Sequence, residues 1–390
     1  MPAAPTLPPA LRALLETAGA LVRRSSSGRV GLARAAPIVD PAALPKALRG
    51  LPAQLEAARA DACTPVAATQ VERTLKATWK AAPGKVLDAW DPEPLAVTAA
   101  AQIHRGVRED GTAVAIKVRR DGLAQAVRSD LALLDALAGP LRQVFGAMDA
   151  GAVLREVRES ALDELDLEHE ASNQRLARRA LRGIDGLVVP APDMDLSGDE
   201  VLVTELLDGP TLAQARPDDP HAAARALVAA HVAAARAGLA LTDARPSHVV
   251  VLGDGRIGLL GAGVARPVDR DRVAAALDAV AALRAGDEDA FTTVVAERLA
   301  LLPPDAARRA YSLALELLGG LLTSAKKLDA AALKAVGERA LKRLDAGLEL
   351  AAVVTPQASD VAAARSFGQV AALLARLETT EDWGALIVGN

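Results

Sequence analysis

Of 390 residues only one is a cysteine, Cys63, so neither an intramolecular disulfide nor a thiolate zinc finger holds this chain together. Aromatic residues are nearly as scarce at 2%, three Trp, three Phe and one Tyr, which argues against a platform for stacking nucleic-acid bases. Neither sign of charge dominates: 45 Lys and Arg face 49 Asp and Glu, a net charge of -4 that gives no pull toward a polyanion such as nucleic acid. No apolar run reaches the ~18 residues of a membrane span, and the N-terminus lacks a basic stretch followed by an apolar one. These absences point to a cytoplasmic protein, attached to a membrane surface at most peripherally.

What is present favours helix. Alanine, the strongest helix former, supplies roughly a fifth to a quarter of the residues. Hydrophobic residues make up 51% and charged residues 24%, the balance of a folded globular chain. The length suits about two or three structural units with a core that needs no covalent staples. In such a chain Cys63 is expected to be a buried, inert thiol.

The first segment reads as helices. Leu11, Leu14, Leu15, Ala18, Leu21 and Val22 recur at helical spacing after Pro8-Pro9, and more Ala/Leu helix runs to about residue 80. Few basic residues line the first helix, so packing on its own protein is the expected use of its apolar face, with contact to a lipid surface the alternative. Near residue 95 the period changes to two. Residues 102–108 alternate, Glu109-Asp110-Gly111-Thr112 supplies a turn, and Ala113 to Val118 forms the second strand of a hairpin. Helices are expected over about 128–141 and, after an Asp149 cap, over about 149–181. Val188-Val189-Pro190 and Val201 to Glu205 read as further strands, and a second hairpin pairs Val249 to Leu252 with Arg256 to Leu260. From Asp271 onward the pattern is helical throughout. The order predicts an α+β, two-lobed, helix-rich plan.

Three features carry chemistry. Lys117 stands on an apolar strand between Ile116 and Val118, pointing opposite to both. In the acidic helix, Asp166, Glu170 and Asn173 share one face, while Glu164 projects about 200° away from Asp166. One of these carboxylates is expected to pair with Lys117 and another to face a cleft. Finally, Asp243 lies in Leu241-Thr242-Asp243-Ala244-Arg245-Pro246-Ser247-His248, just before the second hairpin, where kinase-like phosphotransferases keep a catalytic carboxylate.

With these residues in view, the chain resembles the UbiB/AarF family of atypical, protein-kinase-like proteins, over roughly residues 28 to 300. Pro94-Leu95-Ala96-Val97-Thr98-Ala99-Ala100-Ala101-Gln102-Ile103-His104 is similar to the family's Ala-rich loop. Lys117 matches its lysine strand, Glu164-Leu165-Asp166 with Glu170-Ala171 and Asn173 its acidic helix, and Thr204-Glu205-Leu206 with Gly209 its hinge. The resemblance implies a two-lobed protein-kinase-like fold: an N-terminal helical extension (1–93) over the cleft, a lobe with a small sheet and inserted helices (94–208), and a helical lobe and tail (209–390). It implies ATP as the nucleotide, with Ala96, Ala99, Gln102, Lys117, Asp166 and Glu205 around it, and Asp243, Lys117 and Glu164 as the catalytic set, Glu164 pairing with Lys117. A link to ubiquinone or isoprenoid-lipid metabolism comes with the resemblance as well.

The departures from the family pattern bear on function. His248 stands where the family keeps a metal-binding Asn, and Gly261-Ala262-Gly263 where it keeps Asp-Phe-Gly. Arg29-Val30-Gly31-Leu32 stands where it keeps Lys-x-Gly-Gln. Glycine offers no ligand and imidazole is a poor one for Mg²⁺, so the phosphoryl group would lack its main charge stabilisation. The expectation is a pseudokinase, a regulatory or scaffold protein with a protein partner, binding nucleotide without Mg²⁺. A weak ATPase or phosphotransferase using Lys117, Glu164, Asp166 and Asp243 with altered metal chemistry is the alternative. Asp243 with His248 as a Zn²⁺ or Mn²⁺ pair, and a helical interaction module with a closed cleft, are less favoured readings.

Overall fold

A computed structural model describes residues 8–24 and 63–389 of the chain. Helix α1 (Pro9–Arg24) is followed by α2 (Ala68–Trp79). Short strands β1 (Ala89–Trp90) and β2 (Ala96–Val97) precede the expected hairpin, β3 (Ala101–Val107) and β4 (Ala113–Arg119). The Asp110 side chain accepts the Thr112 amide and Gly111 takes a positive φ of 83°, which is the turn chemistry the sequence indicated.

Three helices follow: α3 (Leu123–Leu131), α4 (Ala138–Val144) and α5 (Ala150–Asp163). Next come α6 (Leu167–Ala180), β5 (Leu187–Val188), β6 (Pro192–Gly198) and β7 (Val201–Glu205). The helix expected over 149–181 is thus two helices. Asp166 breaks it: its carboxylate accepts the amides of Glu168 and His169, so the residue caps α6 instead of continuing α5. Similarly, the helix expected over 128–141 is divided between α3 and α4 by a tight turn over Ala132–Leu137.

The main sheet is antiparallel in the order β1-β3-β4-β7-β6, with β2 paired to β3. Alternation gives it two different faces. Val114, Ile116, Val118, Val201 and Val203 point to one side and pack against Val71 and Leu75 of α2 and against Leu87. Lys117 and its cross-strand neighbours Ile103 and Leu202 belong to the other side, where Leu202 packs against Leu167 and Ala171 of α6. The extension was expected over the cleft. Its described part lies elsewhere: α2 covers the sheet face opposite Lys117, and α1 packs on α4 and the turn before it. The Arg29-Val30-Gly31-Leu32 signature lies outside the described residues.

The second lobe centres on α7 (Pro220–Arg236), capped by the Asp219 carboxylate on the Ala222 amide. Its alanines let β8 (Leu239–Leu241) approach closely, and β9 (Val249–Val251) and β10 (Ile257–Leu259) add side chains to the same core; Ala224, Ala230 and Ala234 are fully buried. Strands β9 and β10 form the second expected hairpin, and β5 joins β10 in parallel. A tight turn over Leu260–Gly263 leads to β11 (Ala265–Pro267), which pairs with β8. Helices α8 (Arg270–Ala285), α9 (Glu288–Thr293) and α10 (Pro304–Ala314) enclose a second core around the edge-to-face pair Phe291 and Tyr311. Then come α11 (Ala330–Lys342), α12 (Leu344–Ala351), α13 (Ala358–Ala375) and α14 (Trp383–Val388). One small departure from the all-helical expectation is the pairing of Lys326–Lys327 with Thr380–Glu381. The fold is the two-lobed, helix-rich α+β arrangement the sequence indicates, and among the described residues no helix is long and apolar enough to cross a membrane.

Candidate functional site

Lys117 of β4 and Glu170 of α6 tie the sheet to the helix packed on it. The Lys117 Nζ lies 2.7 Å from each carboxylate oxygen of Glu170, and the glutamate side chain is only 8% exposed. Glu170 can reach because α6 starts at the Asp166 cap, which sets the first turn and directs Glu170, Asn173 and Gln174 inward. Asn173 donates to the Ala265 carbonyl and Gln174 to the Pro190 carbonyl at 2.8 Å, fixing the helix to both lobes.

Beneath α6 runs the Gly261-Ala262-Gly263 turn. A Cβ at Gly263 would come 2.6 Å from the Glu170 carbonyl oxygen and 2.8 Å from its Cγ. Only glycine admits this approach without a shift.

Asp243, buried after β8, is gripped by Arg245. The Arg245 Nη2 donates to Asp243 Oδ2 at 2.7 Å, while Nε lies 2.6 Å from Oδ1 as an ion contact whose N–H points off the line. Both side chains are under a tenth exposed. His248 completes the group, with Nδ1 3.2 Å from Asp243 Oδ2 and Nε2 3.0 Å from Arg245 Nη2. Those partners assign the proton to Nδ1, which donates to the carboxylate, and leave Nε2 to accept from the guanidinium. Burial foremost, then the Arg245 charge, pushes the His248 pKa below its usual value, so the ring is neutral near pH 7; the Lys117 charge adds to this, against the opposing pull of Asp243. The Ala244 amide donates to Gln369 of α13, which holds the loop from behind.

The residues expected at the site separate into two groups. Lys117, through Glu170, and Asp243 both adjoin the Gly261-Ala262-Gly263 turn, and His248 and Gly261 stand beside Asp243. Glu164 does not pair with Lys117. It sits beyond the end of α5 and meets Arg365 of α13 at 3.3 Å, because the break at Asp166 removes it from the α6 face. Asp166 is engaged as a helix cap. Gln102 points away from Lys117, since their β3 and β4 positions differ by one step in the alternation: Lys117 faces Ile103. It instead accepts the Val66 amide and donates to His104, whose Nδ1 bonds the Asp91 carbonyl at 2.9 Å.

Ala96 is exposed on β2 and Ala99 is buried in the turn after it. Within that turn the Thr98 hydroxyl accepts the Ala100 and Ala101 amides at 3.3 and 2.9 Å. The Arg120 guanidinium ties the Thr98 carbonyl to that of Thr64. Amides that a phosphate loop would offer to a ligand are therefore already bonded here. Glu205 accepts the Ala191 amide at 2.8 Å at the end of β7.

The residues alone leave the lysine's partner open among the carboxylates of the acidic helix, the resemblance implies Glu164, and neither gives Arg245 a role; the partner is Glu170. Glu170 was recoverable, since it shares the face of Asp166 and Asn173; for Arg245 the signal was only its place two residues after Asp243.

A divalent ion does not fit. Its two family positions offer glycine and a neutral imidazole, and the Asp243 carboxylate is engaged on both oxygens by a guanidinium. A side chain at 261 would also meet the Asp243 carbonyl oxygen at 2.7 Å and His248 Nδ1 at 3.0 Å. Among the described residues no group of three His, Cys, Asp or Glu is placed to hold a metal, so the Zn²⁺ or Mn²⁺ expectation for Asp243 and His248 finds no ligand set.

Comparison with known proteins shows the family. The ABC1 atypical kinase-like domain matches residues 59–295. A "Probable protein kinase UbiB" of Aliivibrio fischeri is 33% identical over 134 residues, 32% of this chain and 25% of that protein. The protein of the same name from Aeromonas hydrophila is 32% identical over 151 residues, 38% and 27% of the two chains. This chain thus spans about a quarter of the length of those relatives. A solved structure described as an Rv3197–erythromycin complex from Mycobacterium tuberculosis superposes with a TM-score of 0.60 at 21% identity, covering 83% of this chain and 82% of that one. The chain belongs to the ABC1 atypical kinase-like family, that of the UbiB proteins.

Proposed function

We propose that this protein is a UbiB-type pseudokinase: it keeps the Lys117–Glu170 pair of a kinase-like cleft but not the machinery of metal-dependent phosphoryl transfer. The observation that carries the reading is the state of Asp243. A catalytic carboxylate must accept a proton or face a metal ion. Here it is clamped by Arg245, with Gly261 beside it in place of a second carboxylate. Phosphoryl transfer depends mainly on neutralising charge at the moving group, so a site whose residues do not fit a divalent ion would be slower by many powers of ten. What remains suits a regulatory or scaffold role, in which an ATP-type nucleotide and a protein partner are read through the fit between lobes. Its place in isoprenoid-lipid or quinone metabolism, and contact with a membrane surface, rest on the family resemblance.

The test is phosphate release from ATP with Mg²⁺, comparing the protein with its Asp243→Asn variant. Equal, background-level release in both supports the reading. Release that Asp243→Asn abolishes supports the second reading, a weak ATPase, which the assembled Lys117–Glu170 pair favours.

A further inference from the structure

Among the described residues, two cation–anion pairs stand at the centre of the site. Lys117 pairs with Glu170, Arg245 pairs with Asp243, and His248 is held neutral. A kinase-like cleft with its metal-binding carboxylates in place is acidic until a divalent ion arrives. Here each described carboxylate of the two pairs already faces a side-chain cation, Glu170 facing Lys117 and Asp243 facing Arg245.

The arginine is also not used up. Its Nε and Nη2 face Asp243, and Nη2 reaches His248 as well. Nη1 makes no hydrogen bond among the described residues and, unlike Nε, is not sealed from solvent. Its two N–H groups are fixed in direction, because the planar guanidinium is anchored on its other edge. Lys117 is comparable: two N–H groups go to Glu170, a third is left, and its side chain is 27% exposed. The Gly261-Ala262-Gly263 turn touches both pairs, Asp243 at Gly261 and Glu170 at Gly263, which brings Lys117 and Arg245 to the same part of the fold. The cleft thus offers oriented, positively charged donors, while the amides of Ala100 and Ala101 are already occupied by Thr98.

We propose that Arg245 is a tethered cation standing in for the divalent ion, so that the cleft binds the phosphate group of a nucleotide in its metal-free form. The inference deepens the nucleotide-binding part of the reading above and rests on it. Charge-assisted bonds from guanidinium and ammonium to phosphate oxygens supply the attraction that a metal bridge would otherwise provide.

Calorimetric titration of the full chain tests it, with ATP and inorganic pyrophosphate as separate probes in EDTA and in excess Mg²⁺. ATP should bind at least as tightly in EDTA as in Mg²⁺. In EDTA, Asp243→Asn leaves Arg245 without its counter-charge and should tighten ATP several-fold. Adding Arg245→Gln to that variant keeps a hydrogen-bonding amide pair and should weaken ATP by tenfold or more relative to Asp243→Asn. Pyrophosphate binding with the same order of variants assigns the site to the phosphate chain itself, and binding of ATP alone assigns it to the nucleotide. Equal affinity in the single and double variants overturns the proposal, as does a wild type that binds only with Mg²⁺ or binds neither probe. Each of those results leaves the pseudokinase reading intact if phosphate release stays at background, whereas Mg²⁺-dependent release overturns that reading by itself.

Discussion

The backbone of Gly263 passes so close to Glu170 that a single added carbon would lie 2.6 Å from the Glu170 carbonyl oxygen. The contact seats α6 on the turn before β11, and α6 in turn brings the Glu170 carboxylate to Lys117. Packing at a glycine thus sets the position of a charge pair.

Gly263→Ala is expected to destabilise the protein by about 1–3 kcal/mol, the usual cost of overpacking a closed site. Neither contacting group gives easily, since one is backbone and the other the root of the Glu170 side chain. Gly84→Ala, where nothing lies within 4 Å and φ is not positive, should change stability little. Urea denaturation of the two variants checks the contrast.

Glu170→Gln and Glu164→Gln separate the two glutamates. Glu170→Gln leaves the Lys117 ammonium facing an amide in a half-buried site, and should cost on the order of 1–3 kcal/mol, less than a fully buried pair because Lys117 keeps some solvent. Glu164 meets Arg365, which is 43% exposed, so Glu164→Gln should lose about 1 kcal/mol or less from that contact. Chemical denaturation of both variants at neutral pH reads the difference, and equal losses would contradict the assignment of Glu170 as the lysine's partner.

Stability should fall as the medium is acidified below pH 6.5. Fully buried in α7, His231 donates from Nδ1 to the Leu227 carbonyl, and burial lowers its pKa to about 4. The folded protein therefore keeps the ring neutral while the unfolded chain takes up a proton near pH 6.5. The contribution is complete above that pH and is lost progressively as pH falls toward 4, by on the order of 3 kcal/mol in all. Burial acts the same way on His104. Melting temperatures measured from pH 7.5 to 4 check this, and His231→Leu should flatten the lower part of the curve.

How far the sequence reveals the site depends on what kind of contact makes it. Lys117 was legible because a strand has a period of two and an Asp-Gly turn fixes the start of β4. The same rule separates Gln102 from Lys117, once the register that pairs Lys117 with Ile103 is known; a motif gives a position along the strand and not the face. Glu164 and Glu170 stand on different sides of an unbroken helix, and the family motif points to Glu164 for the lysine; the capping role of Asp166, which takes Glu164 off the α6 face, appears only when the chain turns there. The Arg245–Asp243 clamp was the least visible. It depends on the loop folding its arginine back, and on Gly261 leaving room beside His248, which local spacing does not encode.

The most direct test is the melting temperature of the full chain with ATP, measured once with Mg²⁺ and once with EDTA. With Asp243 held by Arg245 and no carboxylate at Gly261, the account predicts stabilisation in EDTA at least equal to that in Mg²⁺. A large stabilisation that requires Mg²⁺ would contradict it.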